Sequence, residues 1–153
     1  MSDSSPVYKR GVLSRLFESC FGLTFLLSSI SHINNQFQFF YDILNYKIVS
    51  GNFAIATTLL VPTIEFIVGV GLVLGIARIG NLVSGCFLLL IFGIVQVSAY
   101  VRGLSIDCGC FGNFRSEISF KSIAFVFTLL IIGLVCSTVA IREFNREDIR
   151  VFS

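Results

Sequence analysis

A chain of 153 residues with a net charge of +2, 55% hydrophobic residues and only 13% charged ones cannot cover a water-facing surface, because a soluble domain of this size carries about 25% charged residues. With 17 Phe and no Trp, most of its exterior must face something apolar, and a bilayer is the simple answer. The basic residues gather into no patch, which excludes a nucleic-acid partner, and the length is that of one domain.

The polar start from Met1 to Arg10 is not followed by a short apolar core and a small-residue cleavage site, so no cleaved signal peptide is read. Residues 1–14 are expected to form a cytoplasmic N-terminal segment. The membrane domain is expected over 15–141. Its first span runs from about Leu16 to Ile33, with Glu18 at its start. A crossing takes about 20 mostly apolar residues in a helix. The connection from Asn34 to Asn52 holds Phe37, Phe39, Phe40, Tyr41 and Tyr46, aromatics that suit a segment lying at the membrane interface.

The second span runs from about Phe53 to Ile76, with Glu65 in its middle, and the third from about Ile79 to Val101 without a formal charge. The few residues around Ala77, Arg78 and Ile79 predict a tight antiparallel hairpin between them. A longer connection from Arg102 to Ser122 precedes the fourth span, about Ile123 to Ile141. The tail 142–153 alternates acidic and basic residues and reads as a frayed or short surface helix. No period-2 alternation with turn signals occurs, which argues against a β-barrel. The expected fold is an all-α, integral membrane four-helix bundle.

Lys and Arg in short flanks mark the cytoplasmic side. Lys9, Arg10, Arg15, Arg78, Arg142, Arg146 and Arg150 fall on one side, and Lys47, Arg102, Arg115 and Lys121 on the other. Both termini are therefore expected in the cytoplasm. The two long connections then face the periplasm or exterior of a bacterial inner membrane.

The connection before the fourth span carries Asp107-Cys108-Gly109-Cys110-Phe111-Gly112-Asn113. Two Cys separated by one residue fall within disulfide range. The ring is small and strained, and strain makes such a bond easier to reduce. Gly109 and Gly112 allow the positive φ that a tight ring needs. Arg102 and Arg115 would lower a thiol pKa, while Asp107 opposes that or moves a proton. Three readings stay open: a redox pair, a static clip, and a metal site that takes His32 as a third ligand. His32, the only His, reads either as a polar anchor at the interface or as a base drawing a proton from Cys108 or Cys110.

Cys20, Cys86 and Cys136 fall in the cytoplasmic half of the spans, some 15–25 Å from the outer loop at about 1.5 Å rise per residue. They read as small core residues. A single outward pair leaves two electron routes, to a quinone met directly or to a separate thioredoxin-like partner.

Glu65 lies near the bilayer midplane, where a charge is costly, so it must face the bundle or carry a proton. Gln96 is the expected partner, and the two would line a polar cavity near a quinone head group. Pro62 is placed to kink the second helix. Gly71 and Gly75 form a GxxxG pair with Gly69 close by, a packing signal. Glu18 is expected near the interface, within reach of headgroups or Arg15, with no role of its own.

The Pro62-Thr63-Ile64-Glu65 stretch with Gly69, followed by Cys108-Gly109-Cys110-Phe111-Gly112 before the last span, resembles the MauE family of methylamine utilisation proteins, within the DoxX-like group of four-helix membrane proteins. The resemblance runs from about Arg15 to Ile141. It implies disulfide formation or electron transfer outside the cytoplasm, with a thioredoxin-like protein or thiol substrate as partner. The family is implicated in maturation of methylamine dehydrogenase, whose small subunit is rich in disulfides, but that substrate is not carried over to this chain. It carries over to Cys108 and Cys110, and to Glu65 with less force. The leading expectation is thus a membrane thiol–disulfide oxidoreductase component. The rivals are a non-catalytic subunit of a larger membrane complex and a metal handler.

Overall fold

The computed structural model describes residues 6–49, 51–104 and 120–151. They form α1 (Pro6–Asn34), α2 (Gln36–Asn45), α3 (Asn52–Leu74), α4 (Arg78–Val101) and α5 (Phe120–Val151), with no strand among the described residues. Among the described residues four stretches are long and apolar enough to cross a membrane: Ser14–Asn34, Asn52–Leu74, Arg78–Val101 and Phe120–Arg142. At about 1.5 Å per residue their 21 to 24 residues reach a little over 30 Å, the thickness of a hydrocarbon core.

The chain runs up and down, so α1 and α4 end, and α3 and α5 begin, at the end of the bundle that carries α2. The opposite end carries the α3–α4 hairpin. α1 packs chiefly on α3, and α4 on α5. Phe21, Phe25, Val68, Leu72, Leu82, Leu88, Leu89, Val126 and Ala140 fill the core. The outside is equally apolar: Leu27, Ile67, Phe87, Ile94, Ile131 and Val135 are all exposed. An exterior of that kind is tolerated where lipid, not water, is the neighbour.

The hairpin turns at Gly75–Ala77, slightly before the expected residues 77–79. Gly75 takes φ 74°, a conformation glycine adopts without steric cost. The Ile76 N–H donates to the Gly71 carbonyl and the Gly75 N–H to Leu72, which is the Schellman end of a helix. The Asn81 amide donates to the Ile76 carbonyl at 2.7 Å and closes the turn. Gly75 is therefore a cap and not half of a helix-packing pair, as the GxxxG spacing had implied. Close approach occurs instead between Gly22 and Gly69, where a Cβ on either would meet the other's carbonyl oxygen at 3.0 Å.

The aromatic connection after α1 is itself a helix, α2. Asn35 breaks the backbone between the two, at φ −119° and ψ 44°, and bonds back to the Ser31 carbonyl with both its backbone and side-chain N–H. α2 buries Phe39, Asp42 and Ile43 and leaves Phe37 and Tyr41 exposed. Phe39 and Ile43 pack with Ala54 of α3. The tail after residue 141 continues α5 as helix to Val151.

Candidate functional site

Inside the α2 end of the bundle lies a cavity of about 360 Å³. α1 contributes Ser28 and His32 to its wall, one turn apart and therefore on one face of the helix. α3 contributes Glu65, α4 contributes Gln96, and α2 contributes Phe39 and Asp42. Most of the remaining wall is apolar, from Val61, Leu89, Phe92, Val95, Val126 and Leu129 among others. His32, Glu65 and Gln96 are each no more than 3% exposed.

The Ser28 hydroxyl lies 3.3 Å from Glu65 Oε1 and 3.2 Å from His32 Nε2. An Nε2–H donating to Ser28, which in turn donates to Glu65, satisfies both contacts. The second carboxylate oxygen, Oε2, lies 3.8 Å from His32 Nε2 and has no hydrogen-bond partner among the described residues. The His32 ring stacks on Phe39, centroids 3.9 Å apart, so α2 sets the ring's orientation. The Ser29 hydroxyl donates to the Pro62 carbonyl at 2.8 Å. That bond fixes α1 against α3 one turn from Glu65, at the proline inside α3.

At the opposite end, Glu18 is 1% exposed and takes two hydrogen bonds from the Arg78 guanidinium, one at 2.9 Å. Arg15 lies 3.7 Å from the same carboxylate. Of the two surroundings expected for Glu18, headgroups or Arg15, the structure has Arg15. The burial and the Arg78 pair are new and give it a structural role. The acid is drawn inward because a bidentate guanidinium supplies what burial would otherwise deny it. Cys86 and Cys136 are buried as expected, but Cys20 is exposed on the outer face of α1.

Of the residues singled out from sequence, the structure brings His32, Glu65 and Gln96 together around one cavity. Asp107, Cys108, Cys110 and Arg115 lie outside the described residues. Among the described residues no group of three or more His, Cys, Asp or Glu side chains is arranged to hold a metal ion. Sequence reasoning missed Ser28, Ser29, Phe39 and Asp42. The Ser28–His32 spacing opposite an acid in an apolar span was the available signal, and only the α1–α3 packing gives it meaning.

The family model for methylamine utilisation protein MauE matches residues 10–141, most of the chain and all four spans. The chain belongs to the MauE family. This MauE-family chain is 29% identical over 92 residues to the methylamine utilization protein MauE of Paracoccus denitrificans, a match covering 60% of this chain and 50% of that protein. It thus spans about half the length of that curated relative. No solved structure matches it.

Proposed function

We propose that this MauE-family chain is a membrane thiol–disulfide component. Cys108 and Cys110 cycle between dithiol and disulfide at the extracytoplasmic face and exchange with a thioredoxin-like protein or a thiol substrate through a mixed disulfide. The observation that carries the reading is the Cys-Gly-Cys itself, on the connection that leaves α4 at the α2 end of the bundle. There the Arg102 guanidinium donates to the Tyr46 carbonyl at 2.9 Å, and Tyr46 lines the cavity holding His32 and Glu65. The similarity to a methylamine utilization protein supports a place in methylamine utilisation, with maturation of a disulfide-rich dehydrogenase as the task that uses such chemistry.

Thiol trapping across a series of redox buffers tests the reading. A working pair titrates at a mild potential, whereas a static clip resists reduction well below the glutathione range. A Cys110→Ser variant is expected to accumulate a mixed disulfide between Cys108 and its partner. Absence of any adduct, together with a pair that stays closed at all potentials tried, removes the redox role and leaves a structural subunit.

A further inference from the structure

The cavity has features that the thiol chemistry alone does not use. It sits in the membrane-spanning part of the chain and is about 360 Å³ in volume, within the range of small-molecule sites. Its polar groups converge on one wall: Glu65 and His32 from α3 and α1, Gln96 from α4. Glu65 Oε2 is buried without a hydrogen-bond partner among the described residues. A buried polar atom left that way costs free energy unless something meets it. Three of the lining residues, Ile48, Ile91 and Phe125, are 52%, 41% and 47% exposed, so the cavity is not sealed. Ile91 and Phe125 belong to the spans α4 and α5, where the surroundings are lipid, and from this we infer a lateral opening.

These features select among ligands. An acyl chain would fill the apolar part and leave the polar wall unmet. A small cation would use the carboxylates and leave most of the volume empty. An anion would be pressed against two buried acids, Glu65 and Asp42. A neutral flat ring with carbonyl oxygens fits both halves. Its oxygens accept from the Gln96 amide or a protonated carboxyl. Its faces lie against the aromatic wall that His32 and Phe39 begin, and a long apolar tail leaves through the lateral opening.

We propose that the cavity binds the head group of a lipid-soluble quinone, and that this quinone is the electron acceptor for the thiol cycle. The second half rests on the function proposed above. In that cycle the reduced Cys108–Cys110 pair loses two electrons and two protons as its disulfide forms. The quinone gains both and becomes the hydroquinone.

The test uses the full chain in lipid nanodiscs and decylubiquinone as the probe. Calorimetric titration is expected to give saturable one-site binding. Val61→Trp, which fills the cavity, and Glu65→Leu, which removes its buried acid, should each weaken binding at least tenfold. Leu134→Ala, on the outer face of α5, should leave it unchanged. The Cys108→Ser, Cys110→Ser double variant should bind normally and form no hydroquinone, whereas the reduced wild-type protein forms one per pair. Thermal melts confirm that each variant is folded. The site is overturned by absence of saturable binding to the wild type, or by unchanged binding in both folded cavity variants. Binding without hydroquinone formation leaves the site standing and overturns the quinone as acceptor of the thiol pair's electrons. Thiol exchange with a partner but no quinone binding leaves the proposed function standing and overturns both halves of this inference.

Discussion

Two glutamates lie inside the spans, each 1% exposed, and their partners set what each can do. Glu18 is met by the Arg78 guanidinium fork with Arg15 beside it, so its charge is matched and its orientation fixed. That arrangement ties α1 to the first turn of α4 and has a structural character. Replacing Arg78 by Ala takes both hydrogen bonds from a buried acid and leaves it only Arg15 at 3.7 Å, whereas replacing Glu18 by Gln keeps an acceptor oxygen for a guanidinium that is 28% exposed. Arg78→Ala is therefore expected to cost more than Glu18→Gln, by about 1.5–3 kcal/mol against about 1 kcal/mol. Reversible unfolding in mixed micelles measures both. Equal costs would mean that the pair contributes through packing and not through its charges. Glu65 has a hydroxyl and an imidazole in place of a guanidinium, and one oxygen of this cavity-lining acid has no hydrogen-bond partner among the described residues. That asymmetry between the two acids is why one reads as a clasp and the other as part of a site.

At the scale of helices, α1 and α3 approach most closely where Gly22 faces Gly69. A Cβ on Gly22 would stand 2.9 Å from Leu72 Cβ as well as 3.0 Å from the Gly69 carbonyl, and backbone cannot move aside as a flexible side chain can. Gly22→Val and Gly69→Val are each expected to cost about 1–3 kcal/mol through overpacking. They should also loosen the neighbouring Ser29–Pro62 bond, since both hold the same interface. Gly80→Ala is the contrast. Nothing lies within 4 Å of a Cβ there, so it should be neutral or stabilise by up to about 1 kcal/mol through helix propensity. A melt series over the three variants decides whether the interface or glycine content matters. The same packing places Ser28 and His32 opposite Glu65, so a shift of α1 along α3 would separate the polar cluster.

For the whole molecule, the two ends of the bundle differ in character. The hairpin end is closed by the Glu18–Arg78 clasp and the Gly75 cap. The α2 end holds the cavity, and the chain that carries Cys108 and Cys110 departs from it. The orientation read from basic flanks puts this end outside the cytoplasm. An impermeant maleimide added to intact spheroplasts after mild reduction is expected to label Cys108 and Cys110 in a variant lacking the other three Cys. A chain whose one thiol is Ser4→Cys, in the N-terminal segment, should label after permeabilisation alone. Labelling in the opposite sense would reverse the topology and remove the extracytoplasmic thiol role.

The amino-acid sequence alone determined that the chain spans a membrane, how many times, and where the tight hairpin falls, because length and hydropathy suffice when the solvent is lipid. It also singled out Glu65, Gln96 and His32, since a polar group in an apolar run stands out whatever it touches. Which helix faces turn inward was decided only by the tertiary structure. In spans apolar on every side, such as α3 with Leu59, Leu60 and Ile67 facing out, no periodicity separates a lipid face from a core face. Packing at Gly22 and Gly69, and the need of buried polar groups for partners, made that choice. The consequences were the Glu18–Arg78 pair, which lies 60 residues apart in sequence, and the meeting of Ser28, His32 and Glu65 in one cavity under α2.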